Sequence, residues 1–293
     1  MRKNTTLIAG PTASGKSAYA VRIAKERDGV VVNTDSMQVY DVLQVLTARP
    51  GIEVMGNIEH HLYGHVHPGQ LYSTGKWLAD VEAFLARPEY ENRHLVFVGG
   101  TGLYFKALLG GLSQMPDIAG DVRDFWRDRL TKVGPAALHE ELMSRDPETA
   151  GWLKPQDGQR IVRALEVFES SGKPISYWQS QTGTALIDND CSTKICLVPD
   201  RETLALRINH RFSNMLNAGA VEEVRALIAL DLDAALPAMK AIGARELAAY
   251  FDGTITIDEV ISLSSAATRQ YAKRQMTWMR NQLSSEWMRV EPV

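Results

Sequence analysis

Eight residues near the start of the chain have the types and spacing to hold phosphate: Gly10, Pro11, Thr12, Ala13, Ser14, Gly15, Lys16 and Ser17. They match the pattern G-x-x-x-x-G-K-S in full. The glycines let the backbone curl so that successive N–H groups aim at phosphate oxygens. A helix starting there adds its positive end. Lys16 supplies a cation, and the Ser17 hydroxyl is a candidate ligand for Mg²⁺. The alternative is a chance glycine-rich turn. A carboxylate follows in Asp35-Ser36-Met37-Gln38-Val39-Tyr40. It could ligate Mg²⁺ or act as a general base, or it could belong to a surface turn closed by an Asx hydrogen bond. Gln38 carries a donor and an acceptor on one amide, which suits the edge of an adenine.

These groups need a scaffold that brings them together. Residues 5–9 read as a buried strand running into the glycine-rich segment. A helix follows, with Ala18, Val21, Ala24 and Lys25 at helical spacing. Val30-Val31-Val32 reads as a second strand ending at Asn33-Thr34-Asp35. Leu95 to Val98 reads as a third, closed by Gly99-Gly100-Thr101-Gly102. The alternation predicts an α/β fold of P-loop type, a parallel sheet flanked by helices with ligands at the carboxyl ends of its strands. From Met115-Pro116 to about Gly183 the periodicity is helical. There Ile161, Leu165 and Phe168 share one face, and Arg160 and Arg163 another. Gly172-Lys173-Pro174 reads as that helix's stop. Residues 194–198 read as a strand returning to the sheet. The expected organisation is a catalytic domain of residues 1–115 and 184–293, interrupted by a helical insertion of residues 116–183.

Composition narrows the field. The chain has 293 residues, 45% hydrophobic and 23% charged, an ordinary globular mixture. No apolar run is long enough to span a bilayer, and no signal-peptide core follows Met1-Arg2-Lys3, so a cytosolic protein is expected. Two cysteines, Cys191 and Cys196, rule out a disulfide framework and a four-cysteine zinc site. A net charge of −3 means that any nucleic-acid role must rest on local patches. One such patch is residues 260–285, which carry Arg269, Lys273, Arg274 and Arg280 and no acidic residue. Basic groups beside Tyr271 and Trp278 suit an RNA loop with unstacked bases. The plainer alternative is a solvated face over a core tryptophan. His60, His61, His65 and His67 cluster closely, but adjacent histidines in a strand-like, glycine-interrupted context make poor metal ligands.

A phosphate loop alone suggests an ATP-consuming kinase or NTPase. Such an enzyme wants an acidic residue after an apolar strand to hold Mg²⁺. Here the strand at 95–98 ends in Gly-Gly-Thr, and no adenine clamp is evident. The loop could instead hold a diphosphate that departs as a leaving group.

Together these segments resemble the tRNA dimethylallyltransferase family. The resemblance rests on residues 10–17, Asp-Ser-Met-Gln-Val-Tyr at 35–40 and Gly-Gly-Thr-Gly-Leu-Tyr at 99–104. It continues through Arg160-Ile161-Val162-Arg163 and Lys173-Pro174-Ile175-Ser176, then Arg207-Ile208, Arg211-Phe212 and Lys240-Ala241-Ile242-Gly243. It ends with Thr268 to Trp278. It implies transfer of a dimethylallyl group from dimethylallyl diphosphate to N6 of the adenosine just 3′ of the anticodon, position 37. By carry-over, residues 12–17 hold the diphosphate with Mg²⁺ and Asp35 takes the N6 proton. Thr101 and Arg211 assist the reaction, and residues 35–38 with Thr101 meet the base. Arg123, Gln159, Arg160, Ile161, Val162, Arg163, Lys240, Arg269, Lys273, Arg274 and Arg280 would contact tRNA. The insertion would grip the anticodon arm of a substrate held by a monomer. Departures from the family pattern include Asp41, Arg49, Glu59, Lys154, Gln156 and Ala244. They bear on individual tRNA contacts. ATP as a ligand of the loop stays open, as does a non-catalytic RNA-binding role.

Overall fold

A computed structural model describes residues 1–181 and 183–292. The chain divides into two compact units, Met1–Leu109 with Ala185–Val293, and Gly110–Thr184. The first unit is built on a six-stranded sheet of order β3-β2-β4-β1-β5-β6. Its strands are β1 (Thr5–Ala9), β2 (Gly29–Asn33), β3 (His60–His61), β4 (His94–Gly99), β5 (Ser192–Leu197) and β6 (Met288–Val290). Every pairing is parallel. Parallel strands need both faces covered, and β1, β2 and β4 are buried on both faces. Leu7, Val30, Val32, Leu95 and Phe97 join one apolar cluster. Ile8, Val31, Val96, Val98 and Ile195 join the other.

Helix α1 (Lys16–Glu26) covers the second of these faces with Ala20 and Ala24. Of the residues that set the helical spacing, Val21 and Ala24 are buried, while Ala18 and Lys25 are exposed. The short α2 (Ile52–Met55) precedes β3. Helix α3 (Thr74–Leu85) and α4 (Gly102–Gly110) pack on the first face through Trp77, Phe84 and Phe105. The two-residue β3 and the three-residue β6 are too short to leave an apolar run, and the sequence does not reveal them.

The second unit contains α5 (Gly120–Arg145), α6 (Pro147–Trp152), α7 (Gly158–Ser171) and α8 (Ile175–Gln179). Gly134, with φ 80° and ψ 169°, breaks α5 just before Pro135. Asp146 and Asp157 cap α6 and α7 with side-chain hydrogen bonds. Helix α7 ends where Gly172 turns left-handed at φ 65°. Trp126, Leu138, Leu142, Ile161 and Leu165 form a core belonging to this unit.

After β5 the first unit continues with α9 (Arg201–Asn217), α10 (Ala220–Ile228), α11 (Ala244–Phe251) and α12 (Ile257–Gln282). Among the described residues, no helix is long and apolar enough to cross a membrane.

Candidate active site

The site lies where β1, β2 and β4 end side by side. Ala9 pairs with Gly99, and Asn33 with Val98, so the segments after them leave the sheet at one level. After β1 the chain turns through Ala13 (φ 63°) and Gly15 (φ 81°) before α1 begins. Only glycine takes the second conformation without strain. The Ser14 N–H donates to the Pro11 carbonyl over 3.3 Å, which tightens the curl. Lys16 folds back within it, its ammonium 3.4 Å from the Pro11 carbonyl.

Asp35 is splinted by Asn33. The Asn33 side-chain oxygen accepts from the Asp35 N–H at 2.8 Å, and its amide donates to the carbonyls of Asp35 and Leu62. One Asp35 carboxylate oxygen accepts from the Met37 N–H at 3.0 Å. The other faces Gly100. The result is an Asx turn with one oxygen tied and one directed along the end of β4. The Asx turn that the sequence offered as the plainer alternative is present, and it leaves one carboxylate oxygen untied.

The strand ends approach closely enough to exclude side chains. A Cβ on Gly99 would lie 2.0 Å from the Thr34 carbonyl oxygen. The Thr101 hydroxyl accepts from the Ser36 N–H at 2.9 Å and donates to the Ser36 hydroxyl at 3.2 Å. Thr101 therefore fixes the segment after Asp35.

From far along the chain, Gln275 on α12 bridges two of these segments. Its side-chain oxygen accepts from the Thr12 N–H at 2.9 Å, and its amide donates to the Gly100 carbonyl at 3.0 Å. A cavity of about 280 Å³ opens here, lined by Thr12, Asp35, Met37, Arg211, Lys240 and Tyr271 among others. Its apolar walls include Leu46 and Phe212.

Charge and burial act strongly on these groups. Burial pulls the Lys16 ammonium down to about 8; Asp35 opposes that shift and Arg211 adds to it. Burial also lowers the Arg211 guanidinium, against the opposing pull of Asp35. The Tyr271 phenol is pushed up, first by burial and then by Asp35. Lys16 and Arg211 are thus two buried cations that each feel the Asp35 charge.

The residues expected to bind RNA scatter more widely. Arg269, Lys273, Arg274 and Arg280 are exposed on α12, as is Lys240 beside the cavity. Arg269 donates to Asn209 at 2.6 Å, and Arg274 lies over the Tyr271 ring. Trp278 is partly buried against the main core. In the second unit, Arg123 lies on α5, and Gln159 and Arg160 are exposed on α7. Arg160 pairs with Asp157 at 3.2 Å and Arg163 with Glu166 at 3.4 Å.

Two sequence expectations need correction. Ile161 and Val162 are 0% and 5% exposed and belong to the core, so their side chains are not available to tRNA. Gln38 is buried, and its amide donates to the carbonyls of Thr47 and Ala48 at 3.0 Å each. Its donors hold a loop, and only its oxygen is left for a base.

The donor set suits a magnesium ion that arrives with its phosphate. Among the described residues no group of three or more His, Cys, Asp or Glu forms a metal cage. Mg²⁺ is commonly held by one or two protein oxygens with phosphate oxygens and water supplying the rest. Ser17, on the first turn of α1, is one such oxygen. The histidine cluster is otherwise engaged: His61 packs against Phe84 and Tyr90, and His65 contacts Asp80.

The fold and site define a phosphate-loop α/β protein with a carboxylate set across the cleft. The sequence matches the IPP transferase family over residues 38–282 and the isopentenyl transferase family over residues 3–63. A tRNA dimethylallyltransferase of Chelativorans sp. (strain BNC1) is 58% identical over 98% of this chain and 98% of its own length. One from Rhizobium meliloti (strain 1021) is 58% identical over 97% and 94%. The crystal structure of a tRNA isopentenylpyrophosphate transferase from Bacillus halodurans aligns with a TM-score of 0.69 at 30% identity, covering 99% of this chain and 90% of that one. A eukaryotic dimethylallyltransferase shares the fold, with a TM-score of 0.82 at 24% identity over 100% of this chain and 74% of that one. The chain belongs to the IPP transferase family.

Proposed function

We propose that the protein transfers a dimethylallyl group from dimethylallyl diphosphate to N6 of the adenosine just 3′ of the anticodon in tRNA, releasing diphosphate. The observation that carries this reading is the cleft shared by the Lys16 loop, Asp35 and Arg211, walled in part by apolar side chains. The names of the relatives supply the acceptor.

Residues 12–17 and Arg211 bind the diphosphate. Their N–H groups and cations meet the charge that grows on the leaving oxygens as the allylic C–O bond breaks. Mg²⁺, held by Ser17 and the diphosphate, would add charge neutralisation there. N6 of adenine is a weak nucleophile because its lone pair is delocalised. As the N–C bond forms, the free oxygen of Asp35 takes the N6 proton. Thr101 holds the segment that carries Asp35. The base must leave its stack to reach this cleft. The insertion and the exposed cations of α12 grip the anticodon arm outside it. The same reading takes the enzyme as a cytoplasmic monomer.

Incubation with labelled dimethylallyl diphosphate and unmodified tRNA tests the reading, with label expected in the tRNA. Label entering only from the γ-phosphate of ATP would favour a kinase. RNA binding without turnover would leave a binding protein.

Replacing Arg269 and Lys273 together by Ala is expected to weaken tRNA binding and flatten its salt dependence by about two phosphate contacts' worth of slope. Affinity measured across a salt series checks this. An unchanged slope would return both side chains to a merely solvated face.

A further inference from the structure

Residues 44–49 form a strap that lies along the cavity. The Ala48 and Arg49 N–H groups bond within it to the Val45 and Gln44 carbonyls at 2.9 Å each. Side chains from elsewhere meet the N–H groups of residues 44–46 and the carbonyls of residues 47 and 48. Glu223, in the first turn of α10, accepts from three consecutive amides. One carboxylate oxygen takes the N–H of Gln44 at 2.6 Å and of Val45 at 2.8 Å; the other takes that of Leu46 at 2.7 Å. From the other direction, the Gln38 amide holds the carbonyls of Thr47 and Ala48. Arg49 reaches back to the Tyr40 and Asp41 carbonyls at 3.0 and 3.2 Å.

The strap's residues divide between two cavities. Leu46 and Thr47 wall the cavity of about 280 Å³ that contains Asp35. Val45, Ala48 and Arg49 face another that opens broadly to the surface, of about 700 Å³, which reaches Ala13 of the phosphate loop. Arg211 and Met215 line both. On the proposed reaction, the smaller cavity must hold both a base and an allylic group. The strap stands between that crowded space and the larger one.

We infer that Glu223 is a positioning residue that pins the strap as a partition between the two cavities, and so limits the allylic chain that the donor can carry. The inference rests on the dimethylallyl-transfer reading. A carboxylate is suited to the task because it only accepts. Its two oxygens satisfy three N–H groups that would otherwise need water. A glutamine of nearly the same shape offers one accepting oxygen and turns an NH₂ toward an N–H. With the strap freed, a longer chain could extend into the larger cavity. Single methylenes in an apolar pocket change discrimination by roughly 10- to 200-fold, so the effect of opening that space should be large.

The test compares the native protein with Glu223→Gln, and with Glu223→Asp as a variant that keeps the charge and shortens the reach. The readouts are hydrogen exchange at the amides of residues 44–46 and the ratio of kcat/KM for geranyl diphosphate to that for dimethylallyl diphosphate, with unmodified tRNA as acceptor. Exchange at these amides should speed up, and the ratio should rise by about tenfold or more. Unchanged exchange in both variants would remove Glu223 as the pin. Faster exchange with an unchanged ratio would show that the strap does not set chain length. If the native protein transfers neither group, the reaction itself is misassigned, and exchange at residues 44–46 still decides whether Glu223 holds the strap.

Discussion

Asp35→Asn is expected to slow transfer in a single turnover by roughly 10²–10⁴, the range for a lost general base. The substitution is nearly isosteric. An asparagine oxygen can still accept from the Met37 N–H, and Asn33 can still hold the backbone at residue 35. The fold of the turn should therefore survive, and tRNA affinity should change little. What is lost is the oxygen beside Gly100 that can take a proton. Rapid-quench measurement of prenylated tRNA, with a parallel binding titration, separates the two effects. Near-normal turnover would take Asp35 out of the proton transfer.

Lys16→Met is expected to lower kcat/KM for the donor by about a hundredfold or more, the cost of removing one preorganised group from developing negative charge. It should also change the pH profile. The Lys16 ammonium lies at about 8 before donor binds, held down mainly by burial. It is charged below that pH and neutral above it. In the native protein, kcat/KM for the donor should therefore fall as pH rises through about 8. That limb should vanish in Lys16→Met. A limb that persists unchanged in the variant would assign the titration to another group.

The placement of the glycine-rich loop and of Asp35 at the ends of β1 and β2 was readable because its signal is local. The glycine spacing, the apolar strand before it and the helix after it all lie within residues 5–26. The four longer strands were legible for the same reason, as short apolar runs closed by turn residues. Gln275 and Asn33 were not. Gln275 acts on a backbone amide 263 positions away, and no periodicity records such a partner. Asn33 looks like an ordinary strand end until its amide is seen holding Asp35. Motif carry-over also has a blind side. A contiguous run such as 159–163 spans more than one face of a helix, so it sweeps core residues in with surface ones. Gln38 was placed beside the cleft by its motif, but its spare hydrogen bonds depended on a loop that the motif did not describe.

The bridge made by Gln275 has a consequence for how the molecule comes into being. Thr12 and Gly100, which follow the ends of β1 and β4, can be made and aligned long before their shared partner exists. A polypeptide halted between residues 100 and 275 would carry the glycine-rich loop and Asp35 yet leave the Thr12 amide without this partner. This bridge must therefore wait for α12, although the segments it joins are among the first residues to emerge.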